Sequence, residues 1–114
     1  MRPLEVLKYL FDIVEACKML EQFTAGKVFG DYQADPMLRA AVERQFEIVG
    51  EALNQATRLD PSIVNQISET RRIIAFRNRL IHAYASVADE VVWGVLETKL
   101  SVLRQEVEDL LAEV

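Results

Sequence analysis

Polar residues recur every third or fourth position along most of this chain, and that spacing admits little besides helices. In residues 3–25, Glu5, Lys8, Asp12, Glu15, Met19 and Gln22 step by 3, 4, 3, 4, 3. Leu7, Leu10, Phe11, Val14, Cys17, Leu20 and Phe23 fill a broad apolar side. A second helix is expected over 36–58, with Asp35 as N-cap and Pro36 at the first helical position. Its apolar face is Leu38, Ala41, Val42, Ile48, Val49, Ala52, Leu53 and Ala56, and Arg39, Glu43, Glu47 and Glu51 mark the solvated side. Gly50, in mid-helix, loses about 1 kcal/mol against Ala, which suits a neighbour packed close against it.

Asp60-Pro61 repeats the start signal, and a third helical region runs from Ser62 to about Ala83, with a break expected near Ser68-Glu69-Thr70. Residues 89–112 form the last helix, with Val92, Leu96, Leu103, Val107 and Leu110 toward the core. The segment between Gly26 and Gly30 and on to Ala34 reads as a short connection. With 4 Gly, 3 Pro and no strand alternation, an all-β chain is excluded. The expected fold is all-α, an antiparallel four-helix bundle with room for an extra short helix, as one domain over residues 1–114.

Composition narrows the function. Charged groups interrupt every apolar run, so neither a signal peptide nor a membrane span is expected and the chain reads as cytoplasmic. One Cys and one His leave no internal disulfide, and no multi-Cys or multi-His metal site within one chain. Cys17 reads as core, Trp93 as a core or dimer anchor, and the Glu43, Glu47 and Glu51 ladder as a solvated face. The net charge of −5 makes uniform attraction to nucleic acid untenable, so any such site must be a local basic patch.

One segment is such a patch. Glu69 to Tyr84 holds Arg71, Arg72, Arg77 and Arg79 against one acid, and it contains the only His, His82. It carries +3, which leaves −8 on the rest of the chain. On a helix, Arg72, Ala75, Arg79 and His82 share one stripe, and Asn78 is an i, i+4 neighbour of His82. Arg77 has Ile73, Ile74, Leu80 and Ile81 as its helical neighbours, so a guanidinium stands in an apolar stripe. It must pair with a carboxylate of another helix, or face a cleft or a second subunit. Arg77 and His82 differ by about 140° in projection, at about 100° per residue.

Arg, Asn and His together suit RNA cleavage through the 2′-hydroxyl: imidazole takes the proton and guanidinium binds the phosphate. A single His cannot act as base and acid in one step. A two-fold dimer would supply two.

Arg77-Asn78-Arg79-Leu80-Ile81-His82 resembles the R-N-x-x-x-H form of the R-x(4–6)-H motif of the HEPN superfamily. With Ala83-Tyr84 it becomes R-x4-H-x-Y, similar to the HepT-like toxin branch. The stretches Ala41–Arg44, Ile48–Ala52 and Val91-Val92-Trp93 are also similar to that branch, so the resemblance covers essentially the whole chain. It implies a metal-independent endoribonuclease without a cofactor, the toxin of a type II toxin–antitoxin pair. It also implies a homodimer with two motifs facing one cleft. Arg77 and His82 would be catalytic and Asn78 supporting, with Arg72 and Arg79 as RNA-binding candidates. Tyr84 would be the position where a minimal nucleotidyltransferase antitoxin adds AMP. Two other readings stay open on the residues: a non-catalytic, nucleotide-binding partner of a nucleotidyltransferase, and a structural bundle dimer with Arg77 ion-paired across its interface.

Overall fold

A computed structural model describes residues 2–82 and 87–113. Among them are seven helices and no strand: α1 (Leu4–Thr24), α2 (Phe29–Ala34), α3 (Pro36–Leu59), α4 (Ile63–Gln66), α5 (Thr70–His82), α6 (Asp89–Thr98) and α7 (Leu100–Ala112). The bundle is built from α1, α3, α5 and the α6–α7 pair. No helix among the described residues is long and apolar enough to cross a membrane.

The core lies where α1, α3 and α7 meet. Val6, Leu10, Ile13, Cys17 and Leu20 of α1 are fully buried, as are Val42, Leu53 and Ala56 of α3 and Val107 of α7. Burial of such side chains contributes roughly 1.5–3 kcal/mol each. All five residues assigned to the core face of the last helix are buried. Cys17 is core too, and burial pushes its thiol up to about 12, so at neutral pH it carries no thiolate. Phe11 departs from the expected pattern. It sits on the apolar side of α1 yet is 55% exposed.

Asp35 caps α3 as expected: its carboxylate accepts from the amides of Met37 at 3.0 Å and Leu38 at 3.1 Å. At Asp60 the same signal opens only the single turn of α4, where the carboxylate accepts from the Ser62 amide and hydroxyl. The third region breaks between α4 and α5, at Ile67 to Glu69, close to the expected place.

Two elements differ from the sequence expectation. Six residues of the expected connection, Phe29–Ala34, are helical: Asp31 accepts from the Val28 amide and starts α2, whose buried Tyr32 packs on Trp93 with ring centres 5.5 Å apart. Trp93 is therefore anchored within the chain, between Tyr32 and Phe29. The last helix is not continuous either; it bends at Lys99 between α6 and α7. Thr98 donates back to the Gly94 carbonyl, a side-chain bond that loosens the helical ladder, and Lys99 reaches across to Glu69.

Candidate active site

α5 starts from a left-handed residue, Glu69 (φ 59°), whose carbonyl accepts from the Ile73 amide. Its carboxylate bridges Lys99 at 2.9 Å and Arg72 at 3.0 Å, and the Lys99 bond chiefly holds it below the ordinary carboxylate range. This ties the start of α5 to the α6–α7 bend. The buried Thr70 hydroxyl donates to the Ile67 carbonyl and closes the turn. Beyond Thr70, α5 is only half sunk into the bundle: Ile73, Ile74, Phe76 and Leu80 are half-buried and Ile81 is 45% exposed. Its main neighbour is α3, joined by an edge-to-face contact of Phe46 and Phe76.

That packing carries Arg77. A side chain on residue 50 would overlap Arg77 Cβ, so glycine there lets the two backbones approach. The guanidinium, 17% exposed, pairs through Nη2 with Glu51 on α3. Its Nη1 donates to Asn78 Oδ1, and its Nε–H is buried with no partner among the described residues. A buried cation without a carboxylate would be unstable by several kcal/mol, so Glu51 is what permits Arg77 in an apolar stripe.

Glu51 was the residue the sequence pattern concealed. It belongs to the ladder read as solvated, and its spacing is indistinguishable from that of a purely surface acid. The one available signal was Gly50 beside it, together with the need of Arg77 for an acid on a neighbouring helix. The ladder is less solvated than its spacing suggests in another respect. Glu43 and Glu47 are half-buried, and burial, followed by the charges of Glu47 and Asp89, raises the Glu43 carboxyl.

The remaining sequence candidates divide into two groups. Arg72, Ala75, Arg79 and His82 are all exposed and form the solvent stripe of α5. Asn78 is turned to Arg77, and among the described residues His82 has no hydrogen-bond partner. Arg77 therefore faces α3 while His82 ends the solvent stripe, and the two are not brought together within one chain. Tyr84 lies outside the described residues. Among those residues no group of three or more His, Cys, Asp or Glu is placed to hold a metal ion.

Residues 13–110, which contain Glu51, Arg77 and His82, match the family described as Ribonuclease HepT-like. The chain belongs to the HepT-like ribonuclease family. A relative from Thermococcus cleftensis, named "Probable ribonuclease HepT", is 36% identical over 106 residues, covering 90% of this chain and 92% of its own. A Methanocaldococcus jannaschii protein named as a "Putative RNase" is 26% identical over 112 residues, covering 96% and 90%. Another so named, from Caldanaerobacter subterraneus, is 28% identical over 103 residues, covering 90% and 91%. No solved structure matches the chain. In this HepT-like protein the half-sunk α5 carries Arg77, Asn78, Arg79 and His82.

Proposed function

We propose that this HepT-like protein is an endoribonuclease toxin whose site is assembled from two copies of α5. The observation that carries the reading is the state of Arg77: a guanidinium fixed on α3 by Glu51 and Asn78, on the helix that ends in an exposed His82. A fixed guanidinium is pre-oriented for a phosphate, which lowers the entropy lost on binding. In the reaction, one His82 imidazole takes the proton of the ribose 2′-hydroxyl and the oxygen attacks the adjacent phosphorus. Arg77 stabilises the charge that develops on the phosphate. The P–O5′ bond breaks, and a second His82, protonated and from the other copy, gives its proton to the departing 5′-oxygen. The products are a 2′,3′-cyclic phosphate and a 5′-hydroxyl. No metal is called on in this scheme.

Ile81 of α5, 45% exposed and outside the cleft beside α6, suits a two-fold contact that would bring the second His82 near Arg77. Tyr84, two residues beyond His82, is the modification position. A nucleotidyltransferase antitoxin would transfer AMP from ATP to its hydroxyl and release pyrophosphate. The added phosphate would pair with Arg77 and the purine would fill the cleft, so RNA would be excluded by charge and by volume.

The test is expression of wild type beside His82→Ala without antitoxin, with cellular RNA examined directly and with both purified proteins assayed on RNA. His82 is exposed, so the variant keeps its fold. The expected result is growth arrest and cleavage by wild type alone, with at least a hundredfold loss in the variant. Intact RNA in both strains would refute the reading in favour of a non-catalytic partner of the nucleotidyltransferase.

A further inference from the structure

Between α5 and the α6–α7 bend lies a cleft of about 290 Å³ that the reaction scheme leaves unused. Its floor is Phe46, Ile73, Phe76, Val95 and Leu103, and none of these side chains carries a hydrogen-bonding group. Its mouth is the opposite: Arg72 and Arg79 line one side and Lys99 the other, with the small Ala75 between the two arginines. Glu69 is shared by Arg72 and Lys99, and Arg79 has no acidic partner among the described residues. The cleft mouth thus holds a surplus of positive charge in a chain of net charge −5.

An apolar slot ringed by cations suits a ligand that has a flat, weakly hydrated body and phosphates on either side of it. Single-stranded RNA has that form. Its unstacked bases are held by apolar and aromatic side chains, and basic residues track its backbone. Placement agrees with this ligand. Arg72, Ala75 and Arg79 lie on the α5 stripe that ends at His82, and Arg79 precedes His82 by about 4.5 Å along the helix axis. A chain seated at the mouth runs on to His82 within about one nucleotide.

We propose that this cleft receives one unstacked base of a single-stranded RNA, with Arg72, Arg79 and Lys99 on the flanking phosphates. It rests on the ribonuclease reading only for where the RNA runs next. Because the floor offers no donor or acceptor side chain, the site selects single strands over duplex and discriminates poorly between bases.

The test uses His82→Ala protein, which would hold RNA uncleaved, and a short single-stranded RNA carrying one 2-aminopurine. Ala75→Phe plugs the mouth at an exposed position without changing charge, and Val95→Phe fills the floor from the α6 side. Each plug is expected to weaken binding of the single strand about tenfold and to abolish the fluorescence change on binding. Unchanged affinity in both plugged proteins would overturn the proposal, as would equal affinity for the matching duplex. A plug that dissociates the dimer in sedimentation but leaves RNA affinity unchanged would overturn it too, and would mark the cleft as a protein interface. The two readings fail separately. Wild type that cleaves nothing while the plugs still weaken RNA binding refutes the nuclease and supports the base site. Cleavage with plug-insensitive binding does the reverse.

Discussion

Gly50 allows the packing of α3 on α5 to be tested by a single methyl group. Replacing a mid-helix glycine by alanine stabilises an unconstrained helix by about 0.8–1 kcal/mol. At residue 50 that gain meets an obstacle, because the new Cβ would overlap Arg77 Cβ and Cγ, with the Ile73 carbonyl 3.5 Å away. The Cβ of Arg77 is fixed to its backbone, so it cannot swing aside as a side-chain end could, and α5 itself must move off α3. Overpacking of this kind loses about 1–3 kcal/mol. The net expectation for Gly50→Ala is therefore a loss of about 1 kcal/mol. Gly94, in the interior of α6, supplies the control, since nothing lies within 4 Å of its added Cβ. Gly94→Ala should stabilise by about 0.5–1 kcal/mol. Urea unfolding of the three proteins, with a shared m-value, measures both changes. If Gly50→Ala stabilises as much as Gly94→Ala does, the close approach of α3 and α5 at Arg77 is wrong. In an active preparation, Gly50→Ala should also lower cleavage, because moving α5 carries Arg77 away from Glu51.

Three further outcomes follow from the same geometry. Glu51→Gln should lower kcat for RNA about tenfold and stability by about 1 kcal/mol, since it leaves a mostly buried guanidinium without its counter-charge; unchanged kcat would show that Glu51 does not hold Arg77 for the reaction. Glu43→Gln should raise the Tm at pH 7. The folded-state pKa of Glu43 is raised, so its ionised form is disfavoured in the native protein, and the benefit of Gln should vanish below about pH 4, where the carboxyl is protonated in both states. A variant no more stable than wild type at pH 7 would contradict that. Trp93→Ala should destabilise by about 2–4 kcal/mol and release α2 from α6, measured by thermal unfolding and by faster amide exchange in Phe29–Ala34; unchanged exchange there would exclude Trp93 as the anchor.

Most of the helical framework was legible from one dimension because its signals are local. The 3–4 spacing places Leu10, Cys17 and Leu20 on one side of α1, and these are buried. Asp35-Pro36 is an N-cap because a carboxylate two or three residues from free amides can always reach them. The misjudged elements involve long-range partners. α2 gains from Trp93, some sixty residues away in sequence, and the bend at Lys99 is held by Glu69 in the turn before α5, thirty residues earlier.

The candidate site shows the same division more sharply. By itself the sequence determined that one basic helix carries Arg77, Asn78, Arg79 and His82, and that a guanidinium in an apolar stripe needs an acid on another helix, a cleft or a second subunit. Helical periodicity is a property of neighbours, and neighbours were enough for that. Which acid it is, Glu51 rather than Glu43 or Glu47, was decided only by tertiary structure. Three acids on one helix face share the same local pattern, and their difference lies in which of them α5 crosses. Gly50 sets that crossing by admitting Arg77 where any side chain would hold the helices apart. The cleft beside α5 has the same origin: it exists because α5 leans on α3 and its start is tied to the α6–α7 bend through Glu69, an arrangement of volumes that no residue spacing records.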